Sequence, residues 1–195
     1  MKLVFATGNL GKLREAAEIL GPEFELLTPA DLGITEEIPE TGNTFRANSI
    51  QKAEYIWQRT GLDCFADDSG LEVDALGGAP GVHSARYAGQ GHDFDANITK
   101  LLSELAKVPD APRTARFRTV VTLILGGDVH CFDGTMEGRI ASERAGCRGF
   151  GYDPVFIADA MPEMTMAEAG EEVKNRFSHR GQALRAMAAW LKENR

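Results

Sequence analysis

Apolar and polar positions along this chain follow two periods, and the switches between them mark out its elements. Lys2-Leu3-Val4-Phe5-Ala6 is a short apolar run closed by a glycine turn, as a buried strand would be. The period then becomes helical: Leu13, Ala16, Ala17, Ile19 and Leu20 share one face, while Lys12, Arg14, Glu15 and Glu18 fall elsewhere. Glu25-Leu26-Leu27 reads as a second short strand. Residues 28–41 read as loop, because Pro29, Gly33 and Pro39 interrupt any period. Thr44 is placed to cap a helix reaching about Thr60, with Ile50, Ala53, Ile56 and Trp57 turned inward. Residues 62–66 form another strand candidate, ending in Asp67-Asp68-Ser69-Gly70. Asp93 or Asp95 caps a helix carrying Ile98, Leu101, Leu102 and Leu105, and Pro109 and Pro112 close it. Residues 116–125 are rich in β-branched side chains and predict a strand. Gly126-Gly127-Asp128 turns that strand back into residues 129–132, and residues 135–140 extend the meander. Ser178 can cap a last helix through Gln182, Leu184, Met187, Ala188, Trp190 and Leu191. Strand–helix alternation early and a hairpin later predict an α/β fold with a mixed sheet.

Composition narrows the function classes. The 195 residues suit one domain, 1–195, and no internal repeat or linker divides them. A formal net charge of −8 argues against broad nucleic-acid or membrane-surface binding, but leaves room for a small anion in a locally basic pocket. No apolar stretch approaches the roughly 20 residues of a membrane helix, and the apolar part of Met1-Lys2-Leu3-Val4-Phe5 is too short for a secretory signal. The three cysteines, Cys64, Cys131 and Cys147, include no CxxC pair, and the four histidines lack ligand spacing. Reduced thiols and a cytoplasmic setting are therefore expected, without zinc.

Several stretches carry candidate chemistry. Thr7-Gly8-Asn9-Leu10-Gly11-Lys12 joins the first strand to the first helix. Backbone N–H groups at such a junction, with the helix dipole and Lys12, attract a phosphate. The spacing is not that of a P-loop, and an ordinary turn with a solvated Lys12 fits the same residues. The Asp67-Asp68 pair at a strand end can bind a metal, or can simply be a turn. Glu36, Glu37 and Glu40 cluster in the 28–41 loop, where acids near a phosphate could hold Mg²⁺. Lys52 lies near the inner face of its helix, either snorkelling or reaching a ligand. Gly149-Phe150-Gly151-Tyr152-Asp153 sets an aromatic between glycines, suited to stacking on a base or to packing in a core. Lys174, Arg176, His179 and Arg180 gather hydrogen-bond donors at the start of the last helix.

Together these stretches resemble the inosine/xanthosine triphosphate pyrophosphatase family over nearly the whole chain. Thr7 to Lys12 is similar to its T-G-N-x-x-K loop and Glu40-Thr41-Gly42-Asn43-Thr44-Phe45 to its E-T-G-x-T-F segment. Ala66-Asp67-Asp68-Ser69-Gly70-Leu71 resembles A-D-D-S-G-L, and Pro80 to Tyr87 resembles P-G-x-x-S-A-R-Y. Phe150-Gly151-Tyr152-Asp153-Pro154 and Ser178-His179-Arg180-Gly181 complete the order. Met164-Thr165-Met166 departs from the family, where a Lys and an aromatic commonly flank the Thr. The resemblance implies a long, twisted mixed sheet flanked by helices, two lobes with a central cleft, and a homodimer. It also implies Mg²⁺-dependent hydrolysis of ITP, dITP or XTP to the monophosphate and pyrophosphate. Asp68 would be metal ligand and general base, and Glu40 a second ligand. Thr7, Gly8, Asn9, Leu10, Gly11, Lys12, Lys52 and Ser69 would hold the phosphates. Phe150, Gly151, Tyr152 and Asp153 would shape the base pocket, with Lys174, His179 and Arg180 donating to the 6-oxygen of the purine. A nucleotide-binding sensor without catalysis, or a pyrophosphatase for other modified nucleotides, is the alternative.

Overall fold

The computed structural model describes residues 1–169 and 177–194. Six strands form one sheet in the order β2-β1-β3-β4-β5-β6. They are β1 (Lys2–Phe5), β2 (Glu25–Leu27), β3 (Cys64–Val73), β4 (Thr114–Leu125), β5 (Asp128–Ile140) and β6 (Phe156–Ala158). β1 pairs in parallel with both β2 and β3, while β5 and β6 are antiparallel, so the sheet is mixed as expected. The β4–β5 hairpin turns on Gly126 (φ 58°) and Gly127 (φ 96°), the positive-φ pair that a two-residue hairpin favours. The α-helices described are α1 (Leu10–Leu20), α2 (Phe45–Thr60), α3 (Phe94–Ala106) and α4 (His179–Glu193). Their starts follow the capping residues. Asn9, Thr44 and Asp93 each accept first-turn N–H groups, so Asp93 rather than Asp95 caps α3.

Contacts divide the chain into two units. The first holds Met1–Asp68, Thr119–Gly134 and His179–Arg195, the second Ser69–Arg118 and Thr135–Ser178. In the first, the pleat sorts alternate residues onto two faces. Leu3 and Phe5 of β1, Phe65 of β3, and Val121 and Leu123 of β4 pack against α1 and α4 through Ala16, Leu20, Ala183, Leu184, Met187 and Leu191. Their neighbours Val4, Ala6, Cys64, Ala66 and Ile124 pack the other way, against Ala53 and Ile56 of α2. In the second unit, Leu71, Val73, Ile140, Phe156 and Ala158 enclose Ile98, Leu101 and Leu105 of α3.

Three expectations change. β3 does not stop at Ala66. It runs on through Asp67-Asp68-Ser69-Gly70, because each carboxylate finds partners on its own face of the sheet. β5 is one continuous strand across Gly134, where a side chain would collide with the start of α4. The buried stripe of α2 is Phe45, Asn48, Ser49, Lys52, Ala53 and Ile56. It shares only Ala53 and Ile56 with the apolar stripe read from sequence, and polar side chains occupy its middle.

Candidate active site

The acidic pair and the first turn meet in the first unit. Asp67 and Asp68 are adjacent on β3 and therefore point to opposite faces. Asp67 faces α1 and α4. Lys12 Nζ lies 3.0 Å from each of its oxygens, and Arg180 Nε donates to Oδ2 at 2.9 Å. Arg180 Nη1 also donates to Glu15, so a buried chain of charges runs Lys12–Asp67–Arg180–Glu15. Burial alone would raise the pKa of Asp67. Lys12, Arg180 and Lys52 more than reverse this and hold the carboxyl well below the usual range. The Lys12 pKa moves down, because desolvation outweighs the pull of Asp67.

Asp68 faces α2. Asn48 Nδ2 donates to its Oδ2 at 3.0 Å, and Lys52 Nζ stands 3.8 Å from its Oδ1. Lys52 also pairs closely with Glu40 from the preceding loop. Burial dominates at Asp68 and pushes its pKa up, against the opposing pull of Lys52 and Asn48. Lys52 responds differently: burial works to lower its pKa, but Asp68, Asp67 and Glu40 outweigh that and raise it. The two neighbouring carboxylates thus differ in kind. Asp67 is a neutralised anchor between two cations, and Asp68 is the more basic group, facing an ammonium shared with Glu40.

The Thr7–Lys12 turn has one feature that the sequence reading did not contain. Asn9 Oδ1 accepts from the N–H groups of Gly11 (2.8 Å) and Lys12 (3.1 Å), so two groups expected to be free for an anion are capped. Thr7 Oγ1 accepts from Asn9 N at 3.1 Å. Gly8, Asn9, Leu10 and Gly11 are exposed. His179 and Arg180 are buried at the start of α4, whereas Lys174 and Arg176 lie outside the described residues.

The remaining candidates lie in the second unit. Ser69 is half-buried on β3, next in sequence to Asp68. Phe150 is 38% exposed, with its ring centroid 6.4 Å from that of Phe94. Asp153 accepts from Phe150 N at 2.9 Å and so fixes the loop between them, which includes Gly151. Tyr152 is core: its hydroxyl donates to Ser84 O at 2.8 Å, and burial raises its pKa.

Two residues in the charged cluster escaped the sequence reading. Glu15 is the third residue after Lys12 and so lies on the same side of α1, and Asn48 precedes Lys52 by four. Those spacings were the available signal. As for a metal, no group of three or more His, Cys, Asp or Glu converges on one point among the described residues. Glu40 and Asp68 do share the neighbourhood of one ammonium. Two hard oxygen donors suit Mg²⁺, which keeps waters and substrate oxygens for its other positions.

A model of the Ham1 family matches residues 3–190. The chain belongs to the Ham1 family. This Ham1 chain is 51% identical over 190 residues to a dITP/XTP pyrophosphatase of Porphyromonas gingivalis, with 97% of each chain covered. It is 47% identical over 190 residues to a Bacillus subtilis protein of the same name, with 96% of each covered. Among solved structures, a HAM1 protein from Coxiella burnetii aligns with TM-score 0.92 and 39% identity over 99% of both chains. A nucleoside-triphosphatase, dITP/XTP pyrophosphatase, from Mycobacterium abscessus aligns with TM-score 0.80 and 42% identity over 96% of this Ham1 chain and 98% of its own.

Proposed function

We propose that this protein is a nucleoside triphosphate pyrophosphatase that hydrolyses deaminated purine nucleotides. It would convert ITP, dITP or XTP and water into the monophosphate and pyrophosphate. The observation that carries the reading is the division of labour between adjacent carboxylates, one neutralised and one kept basic. Relatives named dITP/XTP pyrophosphatases support the substrate class. The whole chain, 1–195, acts as one catalytic domain and as a homodimer in the cytoplasm. No helix among the described residues is long and apolar enough to cross a membrane.

In this reading Asp68 takes the proton from the attacking water. Burial keeps its carboxylate more basic than an ordinary aspartate, which favours that role. Lys12 and Lys52 offset the phosphate charge. Thr7, Gly8, Asn9, Leu10, Gly11 and Ser69 orient the phosphate oxygens, and the cap from Asn9 keeps the turn in shape for them. Asp67 holds Lys12 in place. Asp68 and Glu40 hold Mg²⁺, which when bound screens the negative charge of the triphosphate. Phe150 stacks on the base, Asp153 fixes the Phe150 loop with Gly151, and Tyr152 anchors it. N–H donors of Lys174, His179 and Arg180 favour a 6-oxygen over the 6-amine of adenine. A donor set against another donor can cost roughly 10⁴-fold in selectivity.

The test is pyrophosphate release across ITP, dITP, XTP, GTP and ATP, with and without Mg²⁺. Release from the deaminated purines should need Mg²⁺ and far exceed that from ATP. Asp68→Asn should lower kcat by about 10²-fold or more, as loss of a general base does. Near-normal turnover in that variant would remove Asp68 from the chemistry. Tight ITP binding without product would make the protein a sensor instead.

A further inference from the structure

We propose that Asn48 is a positioning residue for hydrolysis: its side-chain amide sets the orientation of the Asp68 carboxylate and locks it to the loop that carries Glu40. The inference rests on Asp68 being the group that accepts the proton from water.

Asn48 is buried on α2, 3% exposed. Its Oδ1 accepts from Gly42 N at 2.7 Å, and its Nδ2 donates to Asp68 Oδ2 at 3.0 Å. The amide can sit only one way round. The Gly42 N–H can only donate, so the amide oxygen must face it, which turns the NH₂ towards the carboxylate. A flipped amide would set a donor against a donor and an acceptor against an anion. Gly42 leaves no slack on the loop side. A Cβ there would lie 2.8 Å from Asn48 Oδ1 and 2.7 Å from Ala47 Cβ.

The consequence is a carboxylate with distinguishable oxygens. Oδ2 is held by Asn48, and Oδ1 is the oxygen near Lys52. Asn48 and Lys52 are four residues apart, so they rise from the same side of α2. One turn of helix therefore aligns both carboxylates: Asn48 and Lys52 hold Asp68, and Lys52 also holds Glu40, two residues before Gly42 in the loop that Asn48 pins. Among the described residues, the charged groups acting on Asp68 include Lys52 from α2, Glu40 from the loop and Lys12 from α1. Asn48 adds an uncharged donor to these partners. A shift of about 1 Å in a reacting group can lower a rate about 10²-fold, so fixing this oxygen matters to the chemistry.

Asn48→Asp separates the two jobs of the side chain. The aspartate has the same shape and still accepts from Gly42 N, but when ionised it repels the Asp68 carboxylate instead of donating to it. Steady-state kinetics with ITP and Mg²⁺ should show kcat lowered about 10- to 100-fold, the rate equivalent of one hydrogen bond to a charged group. KM should change less than about 3-fold, and thermal unfolding should confirm a folded protein. A folded Asn48→Asp with wild-type kcat would reduce Asn48 to a loop anchor and overturn the proposal. Should that variant fail to fold, Gly42→Ala decides. It displaces the amide from the loop side without changing any charge and should lower kcat with KM nearly constant; a folded Gly42→Ala with full kcat also overturns the proposal. Asp68→Asn in the same assay keeps the two claims apart. If it retains turnover, the reading of Asp68 fails. If it is inactive while Asn48→Asp is not, only the role of Asn48 fails.

Discussion

Replacing Asp67 by Asn should destabilise the fold by about 3 kcal/mol at neutral pH. The change keeps the shape and removes one charge from a residue that is 2% exposed. Lys12 Nζ, 3.0 Å away, and Arg180 Nε, 2.9 Å away, would then share a neutral oxygen. Breaking a buried pair by removing one partner costs about 3–5 kcal/mol. The lower end applies because Arg180 keeps Glu15 and the Lys12 side chain is 18% exposed. For a chain of this length about 3 kcal/mol corresponds to a fall in Tm of roughly 6–12 °C. The pH dependence follows from the direction of the shift. The Asp67 carboxyl is depressed in the folded state, so the unfolded chain binds its proton more readily. The stability contributed is therefore fully present above the ordinary aspartate pKa of about 3.9 and is lost as pH falls through the folded value. Urea unfolding of wild type and Asp67→Asn should show a constant gap from about pH 8 to pH 5 that narrows below about pH 4. A gap under about 1 kcal/mol at pH 7, or one that widens in acid, would refute the assignment of Asp67 as the neutralised anchor.

Two further outcomes test other parts of the molecule. Phe150→Ala should raise the KM for ITP about 5- to 150-fold with a smaller effect on kcat, since stacking on one base contributes about 1–3 kcal/mol; an unchanged KM would remove Phe150 from the base site. Gly134→Ala should cost about 1–3 kcal/mol in thermal or urea unfolding, through overpacking. Its Cβ would sit 2.0 Å from His179 O and 3.1 Å from Ala183 N, so an unchanged Tm would contradict that close seating of α4.

The sequence revealed what local periodicity and capping control. The first strand, the hairpin at Gly126-Gly127 and the helices after Thr44 and Asp93 stand where those signals put them. It hid what depends on a partner distant in the chain. Lys52 read as a residue beside an apolar face and is buried, because Glu40 and Asp68 come to it. Asn48 carries no apolar signal and falls outside the stripe that periodicity predicts for α2, though it occupies the middle of the buried one. Glu15 read as an outward acid and is buried, because Arg180 arrives from 165 residues away. The early end given to β3 has the same origin. Asp-Asp-Ser-Gly is turn chemistry locally, and only the cations and amide on either side of the sheet allow it to continue as strand.

The Asp67-Asp68 dipeptide gains its two roles from the pleat. Side by side in a turn, two such carboxylates would share one environment and repel each other's charge. On a strand they point to opposite faces of the sheet, and each takes its hydrogen-bond partners from the helices on its own side. The α1–α4 side supplies Lys12 and Arg180, enough positive charge to make Asp67 a permanent anion. The α2 side supplies Asn48 and a lysine already shared with Glu40, so burial prevails and Asp68 stays comparatively basic. A one-residue slip of β3 would exchange these surroundings. It would also turn Phe65 and Ala66 to the wrong cores. The packing of the strand before the pair therefore decides which aspartate is fit to accept a proton.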